Sequence, residues 1–120
     1  MTILEILKGA KTFLSQTGKD NLPNHICFAV EAYVRSVTMH QSRHWCYLAA
    51  IPAKDYIHSK LADLARKSYS CIDYSFTDEC ASYILNIEAY EVTSALRQQA
   101  RHIWLDSLIA ELETAQSKTY

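Results

Sequence analysis

The sequence predicts an all-α fold: a compact bundle of about five helices organised around a long C-terminal helix, in a single domain spanning residues 1–120. Three observations lead there. Two Gly and two Pro in 120 residues are too few for the many tight turns of an all-β chain. Apolar residues recur at spacings of three and four along most of the chain, the period of a helix with one buried face. The stretch from Glu88 to Ala115 contains no Gly or Pro and is rich in Ala, Leu, Glu, Gln and Arg, residues that lose little on entering a helix.

In chain order, Ile3, Ile6, Leu7, Ala10, Phe13 and Leu14 mark an amphipathic helix over 3–17, which Gly18 is placed to end. Residues 19–24 read as a loop, with Asn21 or Asn24 available to cap a second helix over 24–37. Ile26, Val30, Tyr33, Val34 and Val37 form its apolar face. Ser42 can cap a short helix over 44–50. Pro52 cannot donate to the carbonyl of Leu48, so a kink or a fresh start is expected there, followed by helix to about Lys67. Residues 68–77 alternate like a strand at Ile72, Tyr74 and Phe76, but a lone strand has no pairing partner, so irregular chain or a short helical turn is expected. Ser75 and Asp78 have capping-box spacing ahead of a helix over 77–87. In the last helix Val92, Leu96 and Ile103 share one face, while Trp104, Leu105, Leu108, Ile109 and Leu112 point the opposite way. Such a helix is expected to pack on two surfaces and to touch most of the others.

Composition excludes several classes. A hydrophobic fraction of 49% and a charged fraction of 21% suit a globular chain, long enough to bury roughly two thirds of its unfolded surface. A net charge of −1 and a pI near 6.5 lack the basic excess of a duplex-binding domain. No apolar run reaches the ~18 residues of a membrane span, and Glu5 and Lys8 interrupt the first apolar segment, unlike a signal peptide. The chain is expected in the cytoplasm, with its four cysteines reduced.

Candidate sites follow from residue type. His25-Ile26-Cys27 and His44-Trp45-Cys46 repeat His-x-Cys, but positions two apart on a helix point about 200° apart and cannot share an ion. No metal or cofactor is expected. A Cys–His nucleophile needs an electropositive, partly open site, and no cysteine carries a local mark of one. Glycine-rich phosphate loops are excluded, because Gly9 and Gly18 are the only glycines. Asp78-Glu79 and Glu111/Glu113 read as helix-end or solvated charges. An enzyme is therefore not expected. Tyr90, Arg97 and Arg101 fall near one line of the last helix, and Arg43, His44, Arg35, Lys54 and His58 join them if the middle of the chain folds back. Arginine beside Tyr or Trp suits phosphate, nucleotide or protein recognition. The candidate binding residues are Tyr90, Arg97, Arg101, Trp104, Arg43 and His44. Eight Tyr and two Trp in so short a chain also suit an interaction surface.

The segments His25-Ile26-Cys27-Phe28-Ala29-Val30-Glu31-Ala32, Asp55-Tyr56-Ile57-His58 and Ala100 to Glu111 resemble small accessory proteins of tailed bacteriophages. Those proteins carry an Ile-Cys-x-Ala-like helix near the start and an Arg-x-x-Trp-Leu-Asp-x-Leu-Ile-like helix at the end; the likeness covers roughly residues 24–113. It carries over no catalytic residue. It implies a phage gene product in the cytoplasm of an infected bacterium, acting without catalysis by occluding a host enzyme or defence protein. The competing expectation is a nucleotide-signal sequestering protein that uses Arg and aromatic side chains at the interface of a homodimer.

Overall fold

The computed structural model describes residues 2–16, 25–38, 42–70 and 76–117. Five α-helices appear among them: α1 (Ile3–Gln16), α2 (His25–Val37), α3 (Arg43–Ser68), α4 (Asp78–Leu85) and α5 (Ser94–Ser117), with a short 3-10 turn (Ala89–Glu91) before α5. The described residues contain no strand. The all-α expectation holds, and α1 and α2 begin and end within a residue of their predicted bounds.

The caps show how side chains start and stop these helices. The N–H of Glu5 donates to the Thr2 hydroxyl at 3.1 Å, and that of Trp45 donates to the Ser42 hydroxyl at 3.0 Å, as the sequence predicts for Ser42. Ahead of α4 the cap is Thr77, which accepts from the N–H of Cys80 at 3.3 Å; the expected Ser75 partner lies outside the described residues. With both glycines spent early in the chain, two helices end on other residues in the left-handed region: Tyr69 at φ 58° and Asn86 at φ 57°. The expected roles of Gly18, Asn21 and Asn24, and the structure of 71–75, lie outside the described residues.

The structure decides two points of helix continuity, ruling out one of the two alternatives at Pro52 and moving the start of the last helix. α3 runs from Arg43 to Ser68 with Pro52 inside it, so there is no fresh start at Pro52. The long last helix does not begin at Glu88. The left-handed residue Asn86 and the 3-10 turn intervene, and Thr93 caps α5 by accepting from the N–H of Leu96 at 3.2 Å. A capping threonine stabilises a start where the hydrophobic pattern alone shows no boundary.

Packing follows a ring. α1 lies against α2, α3 and α5; α3 lies against α1, α2 and α4; α4 lies against α3 and α5. α5 thus packs chiefly on α1 and α4 and is not the element that touches most of the others, while α4 also meets the 3-10 turn. The α1–α2 pair is close because Gly9 leaves room for the Tyr33 ring, whose edge meets Phe13 at 6.4 Å between centroids. The core contains Leu7, Leu14, Val30, Val34, Ile57 and Leu105, each fully buried.

α5 buries one arc, not two opposite ones. Ala100, Arg101, Trp104, Leu105 and Leu108 are buried, which spans roughly 140° at about 100° per residue. The other side, with Ala95, Gln99, Ile103, Asp106 and Ala110, is exposed. Lys8–Glu113 at 3.1 Å and Lys11–Asp106 at 2.6 Å tie α5 to α1. Half-exposed pairs of this kind contribute about 0–1 kcal/mol each, so they set helix orientation more than they stabilise. Among the described residues, no helix is long and apolar enough to cross a membrane.

Candidate functional site

α4 wedges between the C-terminal half of α3 and α5, so those two long helices diverge and leave a groove of about 400 Å³. Its floor is apolar: Leu64 from α3, and Trp104 and Leu108 from α5, all buried. Its walls are Tyr83 and Ile84 of α4 and Ile103 of α5. Tyr83 is 53% and Ile103 43% exposed, so both offer apolar surface to an incoming group. Trp104 is held in place by Phe76, with ring centroids 5.8 Å apart and a 53° tilt. The groove runs on along α5 into a shallow depression at Ser107, Ala110, Glu111, Thr114 and Ala115. From Ile103 to Thr114 the rise is roughly 16 Å, about three helical turns.

The rim is polar. Lys60 donates to Glu111 at 2.7 Å, joining α3 to α5 across the groove. That hydrogen bond holds the Lys60 ammonium above its ordinary pKa against the opposing effect of burial. The ammonium also lies 5.5 Å from the centroid of the Tyr56 ring, whose hydroxyl is raised by burial and then by the charge of Glu111. Asp63 pairs with Arg66. Lys67 is exposed on the rim with no ion-pair partner among the described residues. An apolar floor of rigid side chains inside a rim of charges suits an amphipathic helix.

Of the sequence-predicted residues, Trp104 alone belongs to this groove. Tyr90 sits on the 3-10 turn, 85% exposed. Arg97 donates to Asp78 of α4 at 2.6 Å. Arg101 is 2% exposed, its guanidinium carbon 5.8 Å from the centroid of Phe76. His44 is exposed in the first turn of α3, and the side chain of Arg43 lies outside the described residues. The expected surface line of Tyr90, Arg97 and Arg101 does not exist. Tyr90 is not on the helix, and Arg101 belongs to its buried arc because α4 and Phe76 cover that side. Ile103, expected in the core, is instead a groove wall.

Lys54 and His58 also turn away from α5, toward α2. The Lys54 ammonium pairs with Glu31 at 2.6 Å; burial alone would lower its pKa, but the Glu31 hydrogen bond and charge hold it above its ordinary value. One turn along both helices, Cys27 Sγ lies 3.5 Å from His58 Nε2. Cys27 is 5% exposed, and burial pushes its pKa up to about 11 despite nearby Lys54. Near neutral pH it is a thiol, unlike the low-pKa thiolate of a nucleophile. Cys46 is buried while His44 is exposed, so that His-x-Cys pair diverges as helical geometry requires. Among the described residues, no three His, Cys, Asp or Glu side chains are gathered to hold a metal ion.

No protein-family model, curated protein or solved structure matches this chain. What the groove can do therefore rests on its own geometry. Sequence reasoning missed Tyr83, Lys60 and Lys67, because a groove between diverging helices has no local periodicity. The available signal was Ile103, an apolar residue on the polar side of α5.

Proposed function

We propose that the chain is a non-enzymatic binding protein that occludes its partner by seating one of the partner's amphipathic helices in the groove between α3, α4 and α5. The observation that carries this reading is the exposed apolar pair Tyr83 and Ile103 above the Trp104 floor, inside a charged rim. The groove and its extension match about three turns of helix, enough for apolar anchors at i, i+3 or i+4, and i+7. With Asp63 and Glu111 both paired, Lys67 gives the described part of the rim an excess positive charge, so the helix carries an acidic residue at that end. In the setting implied by the phage resemblance, the partner is a host or defence protein in the bacterial cytoplasm. Sequestration of a nucleotide signal through Arg97 and Arg101 is disfavoured, since Asp78 engages the first and the core encloses the second.

The test is affinity capture from a bacterial host with the wild type, Ile103→Glu, Lys67→Glu and a Tyr90→Ala control, alongside light scattering of the purified proteins. The wild type and the control should retain one partner in stoichiometric amount, and the two groove variants should lose it. Equal capture by all four would remove the groove from the reading. Self-association lost in Ile103→Glu would identify a second copy as the occupant instead.

A further inference from the structure

A second cleft, of about 340 Å³, opens between the last turns of α2 and the first turns of α3, lined by Glu31, Arg35, Cys46 and Tyr47. Its chemistry differs from that of the groove. Tyr47 is 52% exposed, with the Lys54 ammonium 5.1 Å from its ring centroid. Glu31 fixes that ammonium at 2.6 Å, so the charge next to the aromatic ring is preorganised. Arg35, one turn beyond Glu31, is exposed and has no ion-pair partner among the described residues. Glu31 and Lys54 cancel, which among the described residues of the cleft leaves the positive charge of Arg35. The buried thiol of Cys46 closes the inner end, its Sγ 3.1 Å from the Thr38 hydroxyl.

From this arrangement we infer that the α2–α3 cleft binds a small anion bearing a planar aromatic group, of the size and chemistry of a mononucleotide. The volume falls within the range of small-ligand pockets. Arg35 supplies charge-assisted donors to a phosphate or carboxylate. Tyr47 supplies a stacking face that accepts any flat base, and the fixed carboxylate of Glu31 accepts from an exocyclic amine. The cleft lies on the α2–α3 side, uses none of the groove residues, and does not depend on the protein-binding reading.

The test is calorimetric titration of the full-length protein with AMP, adenosine and inorganic phosphate, repeated on Arg35→Glu and Tyr47→Ala. Both side chains are exposed, and thermal melts check that the variants fold. AMP should bind saturably and more tightly than adenosine or phosphate. Tyr47→Ala should weaken it about tenfold, and Arg35→Glu should bring it down to the level of adenosine. No saturable AMP binding at millimolar concentration, or binding unchanged in both variants, overturns the assignment. Phosphate binding as tight as AMP overturns its aromatic half.

Discussion

The ring of Tyr33 lies across Gly9, so close that a Cβ built on Gly9 would stand 2.1 Å from Tyr33 Cε1. No real Cβ tolerates that separation, and the Tyr33 ring is confined by Phe13. A mid-helix glycine normally gains about 1 kcal/mol on replacement by Ala. Here Gly9→Ala should instead destabilise by roughly 1–3 kcal/mol through overpacking, measured by urea denaturation. Combining it with Tyr33→Leu should recover most of the loss; equal losses in the single and double variants would contradict the contact.

Arg101 behaves as a core residue. Arg101→Glu should destabilise by about 3 kcal/mol or more, because it reverses the charge of a side chain that is 2% exposed. Arg101→Met keeps an unbranched apolar stem in the buried position without reversing the charge and should cost clearly less. Arg97→Glu puts a second carboxylate beside Asp78 and should cost about 1 kcal/mol, recovered by Asp78→Lys. A surface role for Arg101 requires instead that Arg101→Glu melt like the wild type.

Pro52 removes one donor from the interior of α3 and is itself exposed. Pro52→Ala restores the bond to the Leu48 carbonyl and should stabilise by about 1–3 kcal/mol, raising the melting temperature. An unchanged or lower melting temperature would mean that the helix depends on the proline ring.

At the groove, Ile103→Glu should leave stability within about 0.5 kcal/mol, as for other exposed substitutions. It should weaken partner binding by about a hundredfold or more, the loss expected of a central anchor. A stability loss as large as that of a core substitution would return Ile103 to the interior, where the sequence pattern puts it.

Alkaline pH should unfold the protein progressively. The Cys27 thiol is raised from 9.0 to about 11, so between those values the unfolded chain has released a proton that the native state keeps. Stability therefore falls as pH rises above 9, by about 2–3 kcal/mol once past 11. Lys54 and Lys60, also raised, hold protons in the native state above their unfolded pKa and add to the same fall at the upper end. Denaturation midpoints across pH 8–11 should show this slope, and Cys27→Ala should flatten its lower part.

Much of the fold was legible because helix signals are local. The apolar spacing of Ile3 to Leu14, the cap at Ser42 and the shortage of Gly and Pro each act within a few residues. Misreadings arose where a local signal competed with a weaker one. The helix-forming run from Glu88 hides the cap at Thr93, and of the kink or fresh start expected at Pro52 the fresh start does not occur, because the flanking turns of α3 are held by packing at Ala50, Ala53 and Ile57. Tyr69 ends α3 in a conformation that glycine adopts more readily.

By itself the sequence determined that the chain is helical and where most helices start. Only the tertiary structure decided which side of α5 faces inward, and therefore that Arg101 is enclosed while Ile103 is open. The physical reason is that burial depends on which neighbours cover a face. The wedge of α4 against Phe76, Trp104 and Arg101 is a relation between distant segments that no periodicity within one helix records.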